Sequence, residues 1–188
     1  MALAFFGITN AQKGSLLVAG NFGYDNIKTS NVSGDTNNGT FTFAPKIGYQ
    51  FTDHLTVGIE SSIANTTGTI TPAGLSSTDT KTSILNLGAF LRYSQSLGGA
   101  FSVYGDLGAG MLSGKTTSTG TADVTNKGFY TALTPAVAID LKKGFCLNFS
   151  IGGLGYKSSK DNAPNVTTTN NFYFNFGQQP TIGISKNF

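Results

Sequence analysis

Residues 41–63 read FTFAPKIGYQFTDHLTVGIESSI, and the period of this stretch decides the fold. Phe41, Phe43, Ile47, Tyr49 and Phe51 fall on alternate positions, opposite Thr42, Lys46, Gly48 and Gln50. Thr52-Asp53-His54 interrupts the run, and Leu55, Val57, Ile59 and Ile63 resume it opposite Thr56, Gly58, Glu60 and Ser62. Period 2 sends successive side chains to opposite faces of a strand. Two such runs around a short polar break predict an antiparallel hairpin.

The alternation continues on both sides. Upstream, Leu16, Val18, Phe22 and Tyr24 share a face opposite Leu17, Ala19, Asn21 and Asp25. Downstream, further runs centre on Leu85–Tyr93, Phe101–Met111, Phe129–Ile139, Phe145–Ile151 and Phe172–Phe188. Together they predict eight strands, each long enough to cross a bilayer when tilted, which takes roughly 9–11 residues. Pro45, Pro135 and Pro180 fall inside three of these runs. Each removes a ladder donor, so a bulge or strand end is expected there. The connections alternate in length. Residues 52–54, 95–100 and 142–144 are short, whereas 28–39, 65–80, 113–126 and 157–170 are long and polar. Short turns at one end and long loops at the other are the pattern of an up-and-down barrel in an outer membrane.

Composition agrees and excludes other classes. Charged residues are 11% of the 188, aromatics are 12%, Gly numbers 25, and the mean hydropathy is −0.01. That is too apolar for a disordered chain. A single Cys excludes a disulfide scaffold and a Cys-based zinc site. No apolar run approaches the roughly 18 residues of a membrane helix. The net charge of +3 is spread thinly, which argues against nucleic acid as a partner. A soluble eight-stranded barrel needs a charged exterior. Here the face opposite the bulky one is Gly, Ser, Thr, Asn and Ala, which suits a narrow interior just filled by side chains. The bulky face is then expected against lipid, where only a closed barrel pairs every backbone group. The expected fold class is all-β, an eight-stranded antiparallel up-and-down transmembrane β-barrel.

The last residues, TIGISKNF over 181–188, resemble the closing strand of bacterial outer-membrane proteins. Phe188, Ile184 and Ile182 match that pattern, and Lys186 departs from it. Residues 13–188 resemble the small OmpA/OmpX-like "porin family" barrels, and FAPKIGYQFTDHLTVGIE over 43–60 is similar to versions from the Bacteroidetes. The resemblance implies an integral outer-membrane protein of a Gram-negative cell. It implies recognition of Phe188, Ile184 and Ile182 by the barrel-assembly machinery, and contact with outer-membrane lipid or lipopolysaccharide. Residues 2–8, ALAFFGI, followed by Thr9-Asn10-Ala11, read as the tail of a signal peptide lacking a basic n-region. Residues 1–11 are therefore expected to be a truncated signal remnant, and 12–188 the barrel.

Five charged residues fall on the lumen parity: Lys46, Glu60, Arg92, Asp106 and Asp140. Glu60 is the only Glu and Arg92 the only Arg. Charges in a narrow lumen must pair, and Arg92 is the natural bidentate partner of a carboxylate, either Glu60 or Asp106. An ion-paired plug is the expectation, and a selectivity ring along a thin solute path is the alternative. No cofactor, metal or catalytic residue is expected. Ala109–Thr116 fits a loose phosphate-loop pattern, but TSTGTADVTNKG after it has no apolar helical face. His54 is the only His and sits in a short turn beside no nucleophile. Cys146 reads as a small interior filler. The leading function is a non-enzymatic structural or surface-interaction barrel acting through four long extracellular loops that meet a surface partner. A narrow passive pore is the alternative, and a lipid-modifying barrel enzyme the third.

Overall fold

The computed structural model of the chain describes residues 13–32, 34–74, 76–163, 165–177 and 180–188. The expected signal remnant, residues 1–11, lies outside the described residues. Ten strand segments follow one another: β1 (Leu16–Asn31), β2 (Gly34–Gln50), β3 (Leu55–Pro72), β4 (Thr78–Gly98), β5 (Phe101–Ser118), β6 (Val124–Lys142), β7 (Phe145–Ile151), β8 (Leu154–Asp161), β9 (Thr168–Phe174) and β10 (Pro180–Asn187). All ladders are antiparallel. β7 and β8 are two halves of one stave, because both pair with β6. β9 and β10 are the halves of the next, paired with β8 and β7 respectively. The result is a closed eight-stranded barrel, as the period-2 pattern predicts.

The barrel closes where β1 meets β10, from Leu17↔Asn187 to Asn21↔Gly183. Leu16 and Phe188 extend this zipper with reciprocal backbone bonds of 3.1 and 3.0 Å. The three prolines all sit at breaks. Pairing of β2 with β3 lapses at Ala44 and Pro45. Pro135 stands where β6 changes partner from β8 to β7, and Pro180 begins β10. Each missing N–H thus faces a place where no ladder donor is required.

The barrel is inside-out relative to a soluble one. Ile59 (62% exposed) and Leu87 (59%) point outward, while Phe90 (2%) and Gln50 (1%) are sealed inside. The outward apolar band is what lipid contact requires.

Two expectations are corrected. The four stretches expected as long extracellular loops are mostly strand. β1 runs to Asn31 and β2 resumes at Gly34, β3 and β4 bracket residues 73–77, β5 and β6 bracket 119–123, and β8 and β9 bracket 162–167. Thr-rich sequence is as polar as a loop, yet Thr is a good strand former. Its hydroxyls lace the strands together, with Thr40–Thr66, Thr82–Thr116 and Thr80–Ser118 at 3.1 Å each. The eighth strand, expected to be continuous, is two segments, β9 ending at Phe174 and β10 beginning at Pro180. Asn175 N donates to Gly153 O at 2.9 Å, and Gly177 N donates to Ile151 O at 2.7 Å. On the extracellular side, no ladder among the described residues joins β1 beyond Asn21 to β9.

A lumen charge network

Register creates the centre of the interior. Lys46 and Glu60 are cross-strand partners on β2 and β3, and Arg92 and Asp106 are partners on β4 and β5. Arg92 grips Asp106 with two bonds, Nε to Oδ1 at 2.6 Å and Nη2 to Oδ2 at 2.9 Å. Its guanidinium lies 3.8 Å from the ring centroid of Tyr104. Lys46 Nζ reaches across the lumen to Asp106 Oδ2 at 2.9 Å while holding Glu60 Oε2 at 2.8 Å. Glu60 in turn accepts a hydrogen bond from Tyr130 Oη at 2.9 Å, which ties β3 to β6. Two cations and two carboxylates therefore form one neutral, connected set. Arg92 and Asp106 are 7% and 5% exposed, so the charges are paired where burial demands it.

Small residues make this packing possible. A Cβ on Gly58 would lie 2.7 Å from the Phe90 ring, and one on Gly108 would collide with the Glu60 carboxylate. Phe90 fills the space beneath the cations, with Lys46 Nζ 5.1 Å from its ring centroid. Phe90 is bulky and apolar, a type expected on the lipid side. Its spacing from Arg92 places it on the lumen parity.

Asp140, the fifth of the expected group, pairs in register with Cys146. It lies at the last turn of β6, where Oδ1 accepts from Lys142 N at 2.7 Å and supports a tight bend. Glu60, named as one candidate partner of Arg92, pairs with Lys46 instead. Ala109–Thr116 is an interior part of β5, with no helix to follow. His54 stacks on Tyr93 at 5.7 Å in the turn after β2. Cys146 is half-buried on the lumen side near Ser185.

Two lumen cavities flank the network. Above it lies a cavity of about 210 Å³ bordered by Ala19, Asn21, Ala44 and Thr181. Below it lies one of about 280 Å³ bordered by Gln50, Thr56, Ser102 and Cys146. Both cavities share Arg92, Tyr104 and Asn148. Asn148, two strands from Tyr104 across β6, borders both cavities with the Arg92–Tyr104 stack. Its Nδ2 donates to Ser185 Oγ at 2.9 Å, and its Oδ1 has no partner.

At the closing strand, Ile182 and Ile184 (60% each) and Phe188 (66%) project outward together. Lys186, which departs from the alternation, lies 4.8 Å from the Phe145 ring centroid and 4.3 Å from that of Phe188. A long stem under an ammonium lets a cation sit among aromatics at the membrane boundary.

Comparison with known proteins agrees with this geometry. The profile of the outer membrane protein beta-barrel domain family matches residues 1–179. Among solved structures, the outer membrane protein OprG from Pseudomonas aeruginosa is 17% identical, with 95% of this chain and 98% of that chain covered and a TM-score of 0.52. Ail, the attachment invasion locus protein of Yersinia pestis, is also 17% identical, with 94% and 100% covered and a TM-score of 0.47. At such identity the likeness speaks to fold alone. A search of curated protein sequences gave no significant match.

Proposed function

The chain belongs to the outer membrane protein beta-barrel domain family, and from that premise we propose that it is a sealed, non-enzymatic barrel. It is an integral protein of the outer membrane. Its role is structural and interactive, exercised through the sheet that rises above the bilayer toward a surface partner. The observation that carries this reading is the crossing of the lumen by Lys46–Asp106 and Glu60–Tyr130. A neutral network with every charge paired has no vacant charge to attract a permeating ion, and prying it apart leaves charges unpaired in a poorly hydrated space. The outward set Ile182, Ile184 and Phe188 serves as the strand that the barrel-assembly machinery reads during insertion.

Single-channel recording of the refolded chain in a planar bilayer tests the seal. The expected result is a silent bilayer, with insertion verified by a heat-sensitive shift on a gel. Steady, reproducible steps would refute the seal and leave a narrow pore lined by Lys46, Glu60, Arg92 and Asp106.

A further inference from the structure

The outer wall carries a feature that the lumen does not explain. On the lipid-facing side, Leu85 and Leu87 of β4, Met111 and Ser113 of β5, and Phe129 of β6 enclose a groove of about 520 Å³. Cross-strand register sets its shape. Phe129, Met111 and Leu87 form one row, and Lys127, Ser113 and Leu85 the row above. The small Ser113 leaves a trough between bulky neighbours. The walls are apolar and open, with Met111 76% exposed and Phe129 53%.

Lys127 stands at the extracellular head of this trough. Its direct partner across the β6–β8 ladder, on the same outward face, is Lys160. Like charges directly opposite each other on one face of a sheet repel. Neither ammonium has an acidic partner among the described residues, whereas nearby Lys115 is held by Asp123 at 2.6 Å. Below the pair, the rings of Phe129 and Tyr156 meet at 5.9 Å and mark the upper edge of the apolar belt.

We propose that this groove is a binding site for an acylated, phosphate-bearing lipid of the outer leaflet. Its phosphate lies between Lys127 and Lys160, and one acyl chain lies along Leu85, Leu87, Met111 and Phe129. Position selects the occupant, because what touches this face of a membrane barrel is lipid. Charge selects the headgroup, because two unpaired ammonium groups at one height call for an anion, and Lys binds phosphate as a point charge. The site lies on the outer wall and is independent of whether the lumen conducts.

Native mass spectrometry of the refolded full chain, titrated with bisphosphorylated lipid A in detergent, tests it. Lys127→Gln and Lys160→Gln are each expected to weaken retention about tenfold, the loss of one charge-assisted contact. Ser113→Phe fills the trough and leaves both charges in place, and it is expected to weaken retention comparably. Lys28→Gln, on an outward position of distant β1, is expected to leave retention unchanged. The gel shift checks that each variant is folded. Three results would overturn the site: equal retention by the Lys127→Gln/Lys160→Gln double variant, equal retention of phosphate-free lipid A, or an equal loss with Lys28→Gln.

Discussion

Replacing Arg92 by alanine tests whether the interior network holds the barrel together. The substitution removes the 2.6 and 2.9 Å bonds to Asp106 and the 3.8 Å stack on Tyr104. Breaking a buried ion pair by deleting one member costs about 3–5 kcal/mol, because the surviving charge is left uncompensated. Asp106 keeps Lys46 at 2.9 Å, so its charge is not orphaned and the low end applies. The expected loss is about 3 kcal/mol. The chain has no Trp, so unfolding by urea in phospholipid vesicles is followed by circular dichroism and by the gel shift. A double-mutant cycle makes the result specific. Asp106→Ala alone leaves Arg92 unpaired, so the double variant is expected to lose clearly less than the sum of the singles. An Arg92→Ala loss below about 0.5 kcal/mol, the range of ordinary surface changes, would refute the reasoning. Strict additivity in the cycle would do the same.

Three further outcomes are expected. Tyr130→Phe removes only the hydroxyl that bonds Glu60 at 2.9 Å, so the urea midpoint is expected to fall by the equivalent of about 1.5 kcal/mol with an unchanged slope. Gly58→Val drives a side chain into Phe90 and the facing backbone of β2, and refolding yield by gel shift is expected to collapse, whereas Gly23→Val, where a Cβ meets nothing within 4 Å, is tolerated. Hydrogen bonding to Lys115 holds the exposed Asp123 carboxyl below the usual aspartate range, so its contribution is present at neutral pH and lost only as pH falls below about 4. A carboxyl-carbon NMR titration is expected to give a low midpoint for Asp123 that rises toward the usual range in Lys115→Gln, with Thr117 still bonded to the carboxyl.

Much of this architecture is written in period 2. The side-chain alternation of residues 41–63 puts Lys46 and Glu60 on the lumen face, and the same period in the runs 85–93 and 101–111 does so for Arg92 and Asp106. What alternation does not contain is register. Sliding one strand by two residues preserves every face and changes every partner. Whether Arg92 meets Glu60 or Asp106 is therefore invisible to parity, and so is the reach of Lys46 across to β5. Nor does parity give height, and Asp140 shares the face but sits at the β6 turn, where it supports a tight bend. The Thr-rich stretches misled for another reason. Polarity marks loops in a soluble protein, but here it marks only the height at which strands leave lipid. Their hydroxyl pairs continue the sheet where no apolar face is required. The apolar groove and Lys127–Lys160 also arise from register, since residues 33 apart become neighbours only through the β6–β8 ladder.

The incomplete zipper between β1 and β10 gives the molecule two different ends. Near Leu16 and Phe188 the sheet is a hoop, and its circumference cannot change unless backbone bonds break. Above Asn21 the same sheet is a scroll, because no ladder among the described residues joins β1 beyond Asn21 to β9. A scroll can widen or tighten by bending alone. The rim exposed to the surroundings is thus the compliant part, anchored to a base of fixed bore. A bulky object can press into the mouth and splay it without breaking the hoop of backbone bonds below. Strain at the rim would travel down the margins and arrive at Asn21↔Gly183, the uppermost stitch, which is where mechanical opening of this barrel would begin.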